Sequence, residues 1–244
     1  MCTVSFLPAR QGFMLAMNRD EQIARPRASA PRRHWSGMRA SLYPSEAGGG
    51  TWIGSNDAGI SLALINWYAK PQRDRALCVS RGIVIPHLLA AEDLADVAAM
   101  FADLPLAQIN PFRLIAVSAH EKKLREWRWD GKALTHRRFD WSRRHWFSSG
   151  YDETLTNKMR ATVVRNAAKT SLTRARLRTL HKSHLPAQGP FSICMHRPDA
   201  KTVSYTEIAA GKSGMAMRYA GGPPCTKKPG TPRLLLFAGE HQPR

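Results

Sequence analysis

MCTVSFLPARQGFMLAMNRDE, residues 1–21, decides how the rest of the chain is read. Residues 3–7 continue an alternation that sets Cys2, Val4 and Phe6 on one face of a strand. An Arg10-Gln11-Gly12 turn then leads into a second apolar run, residues 13–17. Alternation, turn and a second extended run predict a β-hairpin. Such a hairpin brings Asn18-Arg19-Asp20-Glu21 beside Cys2. Removal of Met1 would leave a free α-amine and a thiol on that one residue. The amine has a reference pKa of about 7.7–8.0 and can handle the proton of an attacking thiolate. Position alone favours an incidental cysteine behind Met1, so the surrounding chain must supply the site. Arg19 beside the thiol is expected to favour the thiolate, and Asp20 to hold the amine by a charge-assisted hydrogen bond. The same four polar residues also read as a solvated turn.

The chain has 244 residues, 43% of them hydrophobic with seven Trp, which is ample for a packed core. Residues 1–238 are expected to form one domain and 239–244 a frayed tail. Cys2, Cys78, Cys194 and Cys225 are scattered without a CxxC pair, which excludes a disulfide framework or zinc ribbon by spacing and points to a reducing, cytoplasmic setting. No apolar run approaches the roughly 18 residues of a membrane helix. The start lacks a basic region ahead of its apolar residues and does not read as a signal peptide.

A net charge of +19 raises the question of nucleic acid, and residues 158–182 hold eight of the basic side chains. Zinc-finger spacing, a phosphate-binding loop and an aromatic RNA-binding signature are all absent, so nucleic acid is not the expected partner. The charge better suits anionic small molecules or membrane surfaces, or serves solubility. Gly48-Gly49-Gly50 precedes no helix and does not read as a nucleotide site. Cys194-Met195-His196 and the pair His181 and His184 carry no metal-site spacing. Core packing is the expected role of Cys194 and His196, and no metal is expected. Asp20 and Glu21 are adjacent and point apart on an extended chain, which disfavours a glycosidase pair.

Further along, residues 18–35 read as a polar, proline-broken loop, and a turn at Asn56-Asp57-Ala58-Gly59 leads into a strand over 60–66. Helical spacing covers 80–90 and 94–104, with Glu92-Asp93 at a helix start. Strands follow at 112–118, 124–129, 133–138 and 145–148, helices at 153–168 and 171–181, and strands at 191–196, 202–207, 216–219 and 234–237. Segregated runs of this kind predict an α+β fold. Helices on the outer faces of two mostly antiparallel sheets make it a four-layer αββα sandwich, with a single-sheet α+β domain as the alternative.

Several motifs in order carry a resemblance. Met1-Cys2-Thr3, Asn18-Arg19-Asp20-Glu21 with Arg25-Pro26, Gly49-Gly50-Thr51-Trp52-Ile53-Gly54, Ala63-Leu64-Ile65-Asn66 and Ser192-Ile193-Cys194-Met195-His196-Arg197 resemble the NRDE family, that of transport and Golgi organisation protein 2. The resemblance implies an N-terminal-nucleophile hydrolase fold, akin to bile-salt hydrolases and penicillin V acylases, and an amidohydrolase that needs no cofactor. By motif, Cys2 would be the nucleophile, Arg19 and Asp20 its neighbours, and Asn66 an oxyanion donor. Asn18, Trp52 and Ser149 are the candidate substrate-binding residues. Ser149 stands where related sequences carry Asn, and no late Arg is assigned. The expected partner is a small-molecule amide or another anionic or apolar ligand. A second reading is a non-catalytic haem or lipid carrier on the same fold.

Overall fold

The computed structural model describes residues 2–168 and 172–239. The first hairpin forms as its alternation requires. β1 (Cys2–Ala9) and β2 (Gly12–Gln22) pair antiparallel with Cys2 opposite Arg19 and Thr3 opposite Asn18. Gly12 turns the chain at a φ of +125°, and a Cβ there would run into the Ala210 carbonyl, so the turn depends on glycine.

Two antiparallel sheets carry the fold. The first takes β1 and β2 together with β10 (Arg144–Ser148), β11 (Ala200–Ala210), β12 (Gly214–Ala220) and β13 (Arg233–Leu236), in the order β10-β1-β2-β11-β12-β13. The second is the meander β3 (Ser29–Ser36), β4 (Arg39–Ser45), β5 (Ile53–Asn56), β6 (Ile60–Asn66), β7 (Phe112–Ser118), β8 (Lys123–Trp129) and β9 (Leu134–Phe139), each strand beside the next.

Strand alternation divides the apolar residues into three layers of packing. Val4, Phe6, Leu15 and Met17 meet Ile53, Ile65, Ile115 and Val117 between the sheets. On the outer face of the first sheet, Met14, Ala16 and Tyr205 pack against α3 (Glu153–Ala167) and α4 (Arg174–Lys182) through Val163, Val164 and Leu177. On the outer face of the second, Leu62, Leu64 and Leu114 meet α1 (Val84–Leu88) and α2 (Leu94–Ala99). The result is the αββα sandwich, and the single-sheet alternative is excluded. Side-chain caps set the helix starts: Asp93 accepts from the amides of Ala95 and Asp96, and Asp152 from that of Leu155.

Three sequence expectations need correction. Residues 18–35 are not one loop: β2 runs on to Gln22, and β3 follows as an edge strand. Pro31, Arg32 and Arg33 disguise β3, because proline and charge are what edge strands tolerate. The expected helix over 80–90 is a 3₁₀ turn, Arg81–Ile83, followed by the short α1. Residues 191–196 form no strand and belong to an irregular stretch between α4 and β11. Of the expected tail, only Gly239 lies within the described residues. Among those residues no helix is long and apolar enough to cross a membrane.

Candidate active site

Cys2 heads β1, between Arg19 on β2 and Ser148 on β10, with its side chain turned toward the layer between the sheets. Its thiol borders a cavity of about 230 Å³ that Arg19, Trp52, Asn66 and Arg81 also line. Arg19 shares the Cys2 face because the two are register partners. Its guanidinium lies over the Trp52 ring, 4.3 Å from the centroid. Arg19 also pairs with Glu46, and Arg25 joins Glu46 and Glu21 at 2.8 Å each, closing a ring of charges at the cavity.

Asp20 points the other way, as alternation demands. Its Oδ2 takes a hydrogen bond from Arg160 Nη2 at 3.2 Å, and its Oδ1 takes one from the Thr202 hydroxyl at 2.6 Å. Arg160, from α3, also donates to Thr3 Oγ1 at 2.7 Å and to the Cys2 carbonyl at 3.3 Å. Both side chains of the Arg160–Asp20 pair are fully buried. Arg19 and Asp20 thus flank Cys2 from opposite faces of the sheet. Asp20 reaches the cavity edge, but its side chain is held from the helix side.

The ordinary expectation for a thiol beside arginine is a lowered pKa, and here the direction is reversed. Burial pushes the Cys2 thiol up and the Asp20 carboxylate adds to the rise, while the Asp20 amide and the Arg19 guanidinium pull against it. Arg19 is weakened in this role because Glu46 and Glu21 already engage it.

Asn66, at the end of β6, lines the cavity and donates to the Tyr68 hydroxyl at 2.7 Å. Burial alone would raise the Tyr68 phenol; the Asn66 amide and the Arg81 charge are among the groups that bring it below its usual value. Trp52 also lines the cavity, so the structure brings Cys2, Arg19, Trp52 and Asn66 together, with Asp20 behind them.

Two expected substrate-binding residues stand elsewhere. Asn18 is fully buried on the helix-facing side, where its Nδ2 donates to the carbonyls of His181 and Ile193 at 2.9 Å each. Ser149 is buried outside the cavity lining, and its hydroxyl accepts from the Tyr151 amide at 3.2 Å. The Tyr68 ring packs against Gly150 next to it, 3.1 Å from where a Cβ would stand. Cys194 and His196 are not core packing on a strand. They lie on the irregular stretch, and their ligand atoms stand within 4.8 Å of those of His184 and Cys225.

Sequence reasoning missed Arg160, Tyr68 and Glu46. Arg160 had a readable signal: Thr156, Arg160, Val163 and Val164 form one buried stripe at helical spacing. A charge in that stripe requires a buried partner, which Asp20 supplies.

Asn18 also opens a polar chain beneath the site. Because its Nδ2 donates twice, its Oδ1 accepts from His181 Nδ1 at 3.0 Å. His181 Nε2 then accepts from the Ser5 hydroxyl at 2.9 Å, and Ser5 accepts from His145 Nδ1 at 2.8 Å. The chain needs a neutral His181, whose Nε2 accepts, whereas His145 can donate through Nδ1 in either charge state and is kept neutral by its burial. Burial, with neighbouring positive charge, lowers His181 to about 3 and His145 to about 4. Both values lie below that of a free imidazole, so the unfolded chain takes up two protons that the fold refuses. Stability is therefore full above about pH 6.5 and is lost as the pH falls, by up to about 1.4 kcal/mol per histidine per pH unit. Urea unfolding is expected to show a clear drop in midpoint from pH 7 to pH 5, before most carboxylates protonate; an unchanged midpoint would contradict neutral burial.

Two antiparallel sheets, helices on their outer faces and a hairpin that opens the chain define the class by fold: an α+β sandwich of αββα layers, with a cavity at Cys2. A penicillin V acylase from Agrobacterium tumefaciens matches at a TM-score of 0.55 and 13% identity, over 97% of this chain and 85% of that one. A C2A variant of the conjugated bile acid hydrolase from Clostridium perfringens matches at 0.52 and 12%, over 97% and 96%. At such identities the likeness establishes the fold. The sequence pattern of the Transport and Golgi organisation 2 family matches residues 1–188, and the chain belongs to that family. No curated protein matches the chain as a relative.

Proposed function

We propose that the chain is a cysteine hydrolase that cleaves the C–N bond of a small N-acyl amide through Cys2, once Met1 has been removed. The observation that carries this reading is the shared cavity of Cys2, Arg19, Trp52 and Asn66. At about 230 Å³ it is smaller than the roughly 300–1,000 Å³ of ordinary ligand pockets, which favours a short acyl group over a haem or an extended lipid. The hydrolase and acylase names of the structural neighbours accord with it.

In the proposed reaction the freed α-amine takes the thiol proton, and sulfur attacks the carbonyl carbon. Asn66 keeps one N–H on Tyr68 and offers the other to the developing oxyanion. Collapse breaks the C–N bond, and the α-ammonium protonates the departing amine. Water then attacks the thioester with the α-amine as base, releasing the acid and restoring the thiol. Asp20, locked by Arg160 and Thr202, is the positioning group behind the nucleophile.

Chromogenic N-acyl anilides of increasing acyl length test the proposal. Asn66→Ala is expected to lower kcat by about 10²–10³ while the fold is kept, as loss of one oxyanion donor typically does. Equal rates in the two proteins would remove Asn66 from the reaction.

A further inference from the structure

We propose that His184, Cys194, His196 and Cys225 bind one zinc ion in a closed structural site that fastens the irregular stretch between α4 and β11 to the segment that follows β12. The ligand atoms of all four lie within 4.8 Å of one another. Cys194 Sγ is 3.7 Å from His196 Nε2, and Cys225 Sγ is 3.5 Å from the same nitrogen. For tetrahedral zinc, with Zn–S about 2.3 Å and Zn–N about 2.0–2.1 Å, the S···N edge is about 3.5–3.6 Å. These two S···N edges are already near the length the ion demands.

A second observation points the same way. His184 Nε2 is buried and has no hydrogen-bond partner among the described residues, and the His184 ring stands edge-on to that of His196 with centroids 5.0 Å apart. A buried imidazole nitrogen without a partner is costly, and a metal would satisfy it. Two sulfurs and two nitrogens in a tetrahedron select zinc among the common divalent ions. Binding would convert two thiols to thiolates and release two protons to solvent, leaving a neutral centre. That neutrality suits a chain of net charge +19.

Four protein donors leave no open position, so the site stabilises and does not catalyse. It has work to do, because the stretch has no strand or helix of its own in which to bury its backbone. Met195 sits between two of the ligands, and its amide donates to Thr202 Oγ1 at 2.8 Å. Thr202 in turn donates to Asp20, so the clip steadies the residue behind Cys2. The spacing, His184-x9-Cys194-x-His196-x28-Cys225, matches no zinc motif, which is why only the fold reveals it.

The test is metal analysis of the full chain, purified without a histidine tag under reducing conditions. About one zinc per chain is expected. Cobalt exchanged into the site should give the visible bands of a tetrahedral ion and thiolate-to-cobalt charge transfer. Cys225→Ser, at a half-buried position, should lose about half of that charge transfer and bind the metal more weakly. Chelation of the unaltered protein should open residues 183–199 to proteolysis, and added zinc should close them again. Protein that takes up neither metal, or that carries a Cys194–Cys225 disulfide with two fewer titratable thiols, would overturn the proposal.

Discussion

Arg160→Met is expected to destabilise the fold by about 3–5 kcal/mol, the usual cost of removing one partner of a buried ion pair. Arg160 and Asp20 are both fully buried, so methionine would leave an uncompensated carboxylate between the sheet and α3. Thr3 Oγ1 and the Cys2 carbonyl would lose donors in the same step. Asp20→Asn combined with Arg160→Met removes the stranded charge and should recover part of the loss. Urea unfolding of the two single variants and the double variant measures this coupling directly. A single Arg160→Met variant within about 1 kcal/mol of the parent would show that the pair is not the anchor its burial implies.

Cys2→Ala is expected to have the largest effect on turnover. Loss of a catalytic nucleophile typically costs on the order of 10⁶ in kcat, leaving only what binding and oxyanion donors supply. The fold should tolerate the change, because it removes one sulfur at the rim of an existing cavity. Cys2→Ser keeps the shape and replaces the thiol by a much weaker nucleophile, so it should bind substrate and turn it over poorly. Burial raises the resting thiol, so alkylation of protein that retains Met1 should be slow near neutral pH and should accelerate as the pH rises. Removal of Met1 places an ammonium on the same residue and should speed alkylation at pH 7.

The central hairpin was legible in the sequence because alternation, a glycine turn and a second apolar run all agree on one register. That register alone set Arg19 beside Cys2. It also determined that Asp20 faces the opposite side, a consequence the tetrapeptide by itself does not display. The edge strand β3 was hidden because Pro31, Arg32 and Arg33 suit an edge and look like a loop. Asn18 is a different case: a polar residue at a strand end reads as available for substrate, whereas burial commits both ends of its amide to α4 and the stretch that follows. Helical spacing marks Arg160 as buried, but its partner Asp20, like the His184–Cys225 cluster, depends on contacts between segments far apart in the chain. No local pattern encodes such contacts, so the partners appear only once the layers are assembled.

The most direct test of Cys2 as nucleophile is intact-mass and peptide analysis of the purified protein, quenched in acid during turnover of a short N-acyl substrate. The expected result is a chain lacking Met1 with one acyl group on the peptide that begins at Cys2. Met1 retained throughout, or acyl groups only on Cys78 or Cys225, would contradict it.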